Sequence, residues 1–573
     1  MSINTKPILY RESEVETLHG LFLERVRRTP HAVAYRQYDA KKEAWVDETW
    51  QGMLKRIEAC ALKLKSLGVM ERDRAAILME NSMDWVIADQ ATLSLNMITV
   101  PLFYNDREEN MAYVLHDSGA RVLFVHHASQ WEKLQPKLQD GVLETVLLLD
   151  SLDVLWTREG EHQDLGHQNI PASLATLVYT SGTTGHPKGV MLSHASILEN
   201  ASAAYAVSNI YPSDTFLSFL PLSHAFERTV GYYLPMIAGA TVAFAQSILT
   251  LQEDLVSIHP TTLVTVPRMF EKVNARLEEK LSQASTFKQH LFKWAEDVGY
   301  RHFQIQQRQK PWHINQLLFP LLDKMVGSKI RASLGGKLRV VVSGGAPLST
   351  AIGRRFLGFG VPIIQGYGLT ECAPVVSSNR LERNNPATVG EPLLHTEVRV
   401  DEDTQELLIQ GPGLMLGYWK RAEATAEAID EQGWFHSGDL AKIVDGQIYI
   451  TGRIKDVLVL SNGEKVPPTD IEDAILQDTW VDQVMVVGEG RPFLVALIVP
   501  SQQATNLDKQ VFIQRLAKDL HAFPGYENIK DIVLCDKPWS IEEGLITPTL
   551  KLRRNHIFAK YEDAVSALYD ESS

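Results

Sequence analysis

The run Tyr179-Thr180-Ser181-Gly182-Thr183-Thr184-Gly185-His186-Pro187-Lys188-Gly189 gathers hydroxyl side chains, three glycines and one lysine. Glycines let backbone N–H groups converge on an anion, hydroxyls add donors, and a lysine supplies compact positive charge, so this composition suits a phosphate-cradling loop. The spacing Gly-x-x-x-x-Gly-Lys-[Ser/Thr] is missing and Pro187 precedes the lysine, which excludes a Walker A loop. On local composition the alternative is a flexible Gly/Thr surface loop.

The apolar, β-prone stretch Leu174-Ala175-Thr176-Leu177-Val178-Tyr179 predicts that the loop leaves a strand. Helical spacing covers Glu14 to Arg28, and Arg74 to Met79, Val122 to Val125 and Glu144 to Leu149 read as strands. That alternation predicts α/β layers with mostly buried strands. From Thr265 to Lys329 the pattern is helical, with Phe270, Val273, Leu277 and Leu281 on one face; a core-facing helix is favoured over a membrane-contacting stripe. Strands return at Leu338 to Val342 and Val361 to Ile364, and both are expected to end in glycine-rich turns, where α/β proteins usually place ligands. Beyond Gly452-Arg453-Ile454-Lys455-Asp456 a smaller α+β unit is expected. It holds a strand at Val457 to Leu460, an Asn462-Gly463 turn, a helix from about Thr469, and strands near Val484 to Val487 and Phe493 to Val499.

The chain of 573 residues is too long for one core. Asp and Glu outnumber Lys and Arg by 70 to 56, a net charge of −14 that gives no electrostatic reason to bind nucleic acid. Cys60, Cys372 and Cys535 form no CxxC or Cys/His cluster, so neither a disulfide framework nor a structural zinc site is expected, and the compartment reads as reducing. Met1 to Lys6 runs into Arg11 and several acids without an apolar core, and no secretory leader is expected. The uncharged run Thr229 to Gln252 is long enough to span a bilayer, yet Pro235, Gly239, Gln246 and Ser247 interrupt it; it reads as a buried helix followed by a strand at Ala240 to Ala245.

Six further segments follow the loop in order: Leu220-Pro221-Leu222-Ser223-His224-Ala225-Phe226-Glu227-Arg228, Ser343-Gly344-Gly345-Ala346-Pro347-Leu348, Gln365-Gly366-Tyr367-Gly368-Leu369-Thr370-Glu371, Ser437-Gly438-Asp439-Leu440, Thr451-Gly452-Arg453-Ile454-Lys455-Asp456 and Thr547-Pro548-Thr549-Leu550-Lys551-Leu552-Arg553-Arg554. With the loop, they resemble the adenylate-forming superfamily of acyl-CoA synthetases, adenylation domains and luciferases, and within it the long-chain fatty acyl-CoA synthetases. The resemblance runs from about Thr17 to Tyr561. It implies an α/β fold with a large multi-subdomain N-terminal adenylation domain of layered sheets, residues 1–453, and a small mobile α+β domain, residues 454–573. It also implies two half-reactions, in which a fatty carboxylate and ATP give acyl-adenylate and pyrophosphate, then the thiol of coenzyme A displaces AMP.

By the same resemblance, Thr180, Ser181, Gly182, Thr183, Thr184, Gly185 and Lys188 hold the β- and γ-phosphates. Glu371 coordinates Mg²⁺ with Ser181 as a second ligand, and Thr370 donates to the α-phosphate. Gly345, Ala346 and Pro347, with Gln365, Gly366, Tyr367 and Gly368, line the adenine slot; Asp439 accepts from the ribose hydroxyls and Arg453 donates nearby. Lys551 bridges carboxylate and α-phosphate, although Leu550 replaces the family's usual glycine, as it does in many long-chain members. Lys455 takes the pivot position, and the loop around Gly463 lines the pantetheine tunnel. His224, Val266 and Pro267 border the acyl pocket; where some long-chain members place a tryptophan gate four residues after the histidine, Arg228 stands here, so that gate is not transferred.

Two alternatives stay open: delivery to a carrier-protein phosphopantetheine or arrest at the adenylate, and a non-catalytic lipid- or nucleotide-binding protein. The expected location is cytoplasmic, with peripheral attachment to the inner face of a membrane left open because a local patch can act despite global acidity.

Overall fold

In the computed structural model, residues 15–138, 143–149, 151–157, 173–180, 186–476, 478, 480–501, 504, 508–520, 527–547 and 551–570 are described. Among them the strands form two large sheets, a four-stranded antiparallel sheet and, after Asp456, a two-stranded hairpin and a three-stranded sheet. The first large sheet carries a parallel centre of Thr241–Phe244, Thr215–Ser218, Thr262–Thr265, Val340–Ser343 and Ile363–Gly368. The second places Leu174–Thr180 between Ile98–Pro101, which is parallel to it, and Lys188–Ser193, which is antiparallel.

Helix Met83–Ser94 touches strands of both large sheets. A helix between two apolar layers has no solvent face, and this one is buried nearly all round. Charge is admitted there only as a pair: Arg228 reaches Asp89, donates to Thr176 Oγ1 at 2.8 Å, and lies over Trp85.

The expectation for Thr229 to Gln252 is met. A π-helical stretch Glu227–Tyr233 runs into helix Leu234–Ala238, Gly239 ends it at φ 77°, and strand Thr241–Phe244 follows. Among the described residues no helix is long and apolar enough to cross a membrane. The first helix is shorter than the spacing predicts, Leu18–Arg28, because the Thr17 side chain accepts from the Gly20 N–H and caps it there. Helix Pro267–Ser282 faces inward as expected: Phe270 is fully buried against Phe356, and Val273 and Leu277 are half-buried. The run Gln365 to Gly368 is strand rather than the turn expected after Ile364. It pairs with Val375–Ser378, and a Cβ on Gly368 would stand 1.9 Å from the Pro374 carbonyl oxygen, so glycine permits the close approach.

Glu227 is buried, and Ser218 Oγ donates to its Oε1 at 2.6 Å. Burial pushes this carboxyl up to about 8 from the ordinary 4.5. Between those values the folded chain keeps a proton that the unfolded chain releases, so this group's contribution to stability is lost as pH rises through the window. Glu227→Gln keeps the shape without the ionisation. Its melting temperature relative to the wild type is expected to climb steadily from pH 4.5 to 8, and a constant difference would remove the protonated-carboxyl reading.

Candidate active site

Neighbouring antiparallel strands Phe435–Val444 and Gln447–Arg453 bring Asp439 and Arg453 opposite each other. Arg453 Nε donates to Asp439 Oδ1 at 2.7 Å and the Tyr367 hydroxyl to Oδ2 at 2.6 Å, so the buried carboxylate is fixed from two sides. Gly345, at φ 82°, turns the chain beyond Val340–Ser343, and Ala346 and Pro347 continue along the same cavity wall as Tyr367 and Asp439. The Gln365 side chain accepts from Leu348 N–H and donates to the Pro386 carbonyl, which fixes the loops on either side of this wall.

Thr370 and Glu371 stand on a single 3₁₀ turn, Thr370–Cys372. Asn200 pins it: its amide nitrogen donates to the carbonyls of Cys372 and Val375, and its oxygen accepts from Val375 N–H. The Tyr418 hydroxyl donates to Glu371 Oε1 at 2.9 Å, and the same ring lies 4.9 Å below the Lys188 ammonium. Thr180 and Lys188 face each other across the strand pair, so the ends of the glycine-rich loop meet beside this tyrosine. Ser181, Gly182, Thr183, Thr184 and Gly185 lie outside the described residues.

Lys551 comes from the C-terminal unit and reaches both cavities of this cleft, of about 1690 and 600 Å³. Its backbone is tied to Thr547, whose hydroxyl accepts from Lys551 N–H at 3.0 Å. Lys551 is an exposed residue in the cleft; the protein packed around its ammonium first, then Arg453, pulls it below the ordinary lysine value, against the attraction of Asp439 and Glu371. His224 also borders both cavities, with Nδ1 accepting from Phe226 N–H. Burial, with Lys551 nearby, drops it to about 4, so it is neutral at pH 7. Val266 and Pro267, at the start of helix Pro267–Ser282, line the larger cavity, as do Leu277, Ile248 and Leu249.

The structure thus gathers Thr180, Lys188, His224, Val266, Pro267, Gly345 to Pro347, Gln365 to Glu371, Asp439, Arg453, Lys455 and Lys551 around one cleft. Gly463 stands apart, at the exposed tip of the hairpin Leu458–Val459/Lys465–Val466 and outside both cavities. Sequence reasoning missed Asn200 and Tyr418, since neither position carries a signal until the segments they join are brought together. The three cysteines are free and buried.

Fold and cleft together define an α/β protein with a large N-terminal and a smaller C-terminal domain, whose cleft gathers the strand pair carrying Thr180 and Lys188, the carboxylates of Glu371 and Asp439, and Lys551 from the smaller domain. Residues 22–419 match the family described as AMP-binding enzyme, and residues 455–573 match the AMP-binding enzyme C-terminal domain. The chain belongs to the AMP-binding enzyme family. It is 31% identical over 602 residues to long-chain-fatty-acid–CoA ligase FadD15 of Mycobacterium bovis, covering 99% of each chain. Human long-chain-fatty-acid–CoA ligase 1 is 29% identical, covering 98% of this chain and 88% of that one. A chloroplastic long-chain-fatty-acid–[acyl-carrier-protein] ligase of Arabidopsis thaliana is 27% identical, over 88% of this chain and 80% of that one. The fold is shared with o-succinylbenzoate CoA synthetase of Bacillus subtilis, at TM-score 0.71 and 21% identity over 94% of this chain and 97% of that one.

Proposed function

We propose that this chain converts a long-chain fatty acid, ATP and coenzyme A to acyl-CoA, AMP and pyrophosphate through an acyl-adenylate. The observation that carries the reading is that Lys551 and Arg453 line both cavities of the cleft, the smaller of which also holds Glu371 and the larger Asp439 together with apolar side chains that include Leu277, Ile248 and Leu249. End-to-end similarity to relatives named long-chain-fatty-acid–CoA ligases supports it.

In the first half-reaction a fatty carboxylate oxygen bonds to the α-phosphorus as the bond to the bridging oxygen of pyrophosphate breaks. Two anions must meet, so cations at the reacting atoms lower the barrier. We assign Lys551 to bridge the carboxylate and α-phosphate; its depressed affinity for a proton is restored once anionic ligands stand beside it. Thr370 donates to the α-phosphate, Lys188 and the Thr180–Gly185 loop hold the β- and γ-phosphates, Tyr367 and Gly345 to Pro347 border adenine, and the Asp439 carboxylate takes the ribose hydroxyls. His224, neutral, borders the acyl group and is no general base. In the second half-reaction the coenzyme A sulfur attacks the acyl carbonyl carbon, its proton is lost, and AMP leaves.

Glu371 is a hard oxygen donor beside the phosphate loop; among the described residues, its bond to Tyr418 occupies Oε1. This fits Mg²⁺, with Ser181 as a further oxygen donor in sequence. When bound, Mg²⁺ would offset the charge of the phosphates. We assign Tyr418 to hold Glu371 in position. Tyr418→Phe is expected to raise the half-saturating Mg²⁺ concentration about tenfold with little change in maximal rate, and an unchanged Mg²⁺ requirement would remove that role.

We place the domain boundary at Arg453 to Asp456 with Lys455 as pivot, where a short 3₁₀ turn Ile454–Asp456 is the link. Lys455→Pro should spare the first adenylation turnover and block acyl-CoA formation; unaltered steady-state synthesis would contradict the pivot. The whole reading is tested by resolving AMP, acyl-adenylate and acyl-CoA by mass spectrometry across fatty acids of increasing length. Acyl-CoA peaking with long chains supports it. Adenylate without thioester would favour carrier-protein delivery, the reaction in the name of the Arabidopsis relative. Peripheral attachment to a membrane belongs to the same proposal.

A further inference from the structure

Large apolar side chains are exposed in unusual density between residues 287 and 325. Trp312, Ile314, Leu317 and Leu321 are 61, 64, 70 and 58% exposed, and Met325 is exposed beside them. Phe287 and Trp294 are exposed on helix Thr286–Gln306. They belong with the others: the helical spacing puts Phe287, Leu291, Trp294 and Val298 along one stripe, and Leu291 and Val298 pack with Phe319, Leu322 and Val326. An exposed apolar patch of this size on a folded chain marks a surface that something covers.

The charge around it selects the partner. The chain as a whole carries −14, yet residues 286–329 hold seven Lys or Arg against three Asp or Glu. Two of those acids are engaged inside the fold, Glu296 with Arg355 and Asp323 with Arg331. Lys288, Lys293, Arg308, Lys310, Lys324 and Lys329 are exposed. Tryptophan and leucine interleaved with long cationic side chains suit the boundary of an anionic bilayer, where rings and alkyl groups enter the acyl edge and ammonium groups stay at the headgroups.

The patch is joined to the large cavity. Helix Ser328–Ser333 continues from it and packs against helix Leu251–Ile258, while Ser333, Leu334, Ile248 and Leu249 line the large cavity. Ile248 and Leu249 are themselves 68 and 96% exposed. An apolar and exposed cavity border suits a medium in which a long acyl chain dissolves.

We propose that the ridge from Phe287 to Met325 docks on an anionic phospholipid surface and presents the Ile248–Leu249 lip to acids dissolved there. This locates the peripheral attachment proposed above on one surface; the delivery role rests on the fatty-acid reading, whereas the sedimentation test of docking can fail or succeed apart from it.

Full-length protein is co-sedimented, without ATP, with vesicles of phosphatidylcholine with and without phosphatidylglycerol. The wild type is expected to bind the anionic vesicles, release in high salt, and bind pure phosphatidylcholine poorly. A variant with Trp312→Asp, Leu317→Asp and Leu321→Asp should lose about tenfold in bound fraction. Lys310→Glu with Lys324→Glu should bind less as well, and both variants should keep wild-type turnover of detergent-dispersed acid, which shows that they fold. Absence of wild-type binding to anionic vesicles, or undiminished binding by the triple variant, overturns the proposal. So does a wild-type dimer, seen by analytical ultracentrifugation without vesicle binding, that the triple variant dissolves, because the ridge then belongs to a second copy. Wild-type protein inactive on detergent-dispersed acid would strike the fatty-acid reading and leave the sedimentation result standing.

Discussion

Lys551→Ala is expected to slow acyl-adenylate formation by roughly 10²–10³-fold, the size of effect seen when one preorganised donor to developing charge is removed. In the proposed mechanism Lys551 serves this step from the C-terminal unit. The two cavities it reaches also contain Lys455 and Arg453, and its charge feels Arg453, Asp439 and Glu371 of the larger domain. With the pivot proposed at Lys455, this cation serves one half-reaction and is absent from the other. Acyl-CoA formation from supplied acyl-adenylate should therefore stay within about threefold of the wild type, since no pair of anions has to be drawn together there. Rapid quench of each half-reaction separates the two outcomes. An equal loss in both would mean that Lys551 supports the cleft rather than the chemistry, and a normal adenylation rate would move the bridging role to another cation. Lys551→Arg tests position against charge: a guanidinium keeps the charge but spreads it over a plane, so partial recovery is expected.

Much of the cleft was legible in sequence because its parts are local. The hydroxyl and glycine loop, the Asp439 and Arg453 segments and the Thr370-Glu371 turn each carry their chemistry within a few residues. The loop was read as leaving a strand, and it does; its return as Lys188–Ser193, antiparallel to that strand, depends on pairing that periodicity does not reveal. Gln365 to Gly368 read as a turn because glycine punctuates turns, yet here it admits the neighbouring strand at a distance no Cβ would tolerate. Asn200 and Tyr418 were invisible for a related reason, as each acts only on segments far away in the chain. The exposed ridge was hidden too. The spacing of apolar residues reports which of them share a face, but whether that face is covered is decided by the packing of other elements.

Arg228→Met is expected to destabilise the larger domain by roughly 3–5 kcal/mol, because it strands the Asp89 carboxylate between two sheets. Both side chains of the pair are almost without solvent exposure. Asp89 accepts further bonds from Tyr233 at 2.9 Å and Thr99 at 3.1 Å, but neutral hydroxyls cannot replace the lost positive charge. Adding Asp89→Asn removes the stranded charge and should recover much of the loss, as measured by denaturant unfolding of single and double variants. A single variant as stable as the wild type, or a double variant no better than the single, would mean that the pair contributes nothing beyond packing. The same series bears on specificity. Arg228 follows His224 by one helical turn and occupies the place where a gating side chain could stand, yet it points to Asp89, Thr176 and Trp85. A residue spent on the core cannot swing with substrate. The double variant is therefore expected to keep the wild-type preference among acyl chain lengths, and a shifted optimum would show that this buried pair shapes the acyl pocket after all.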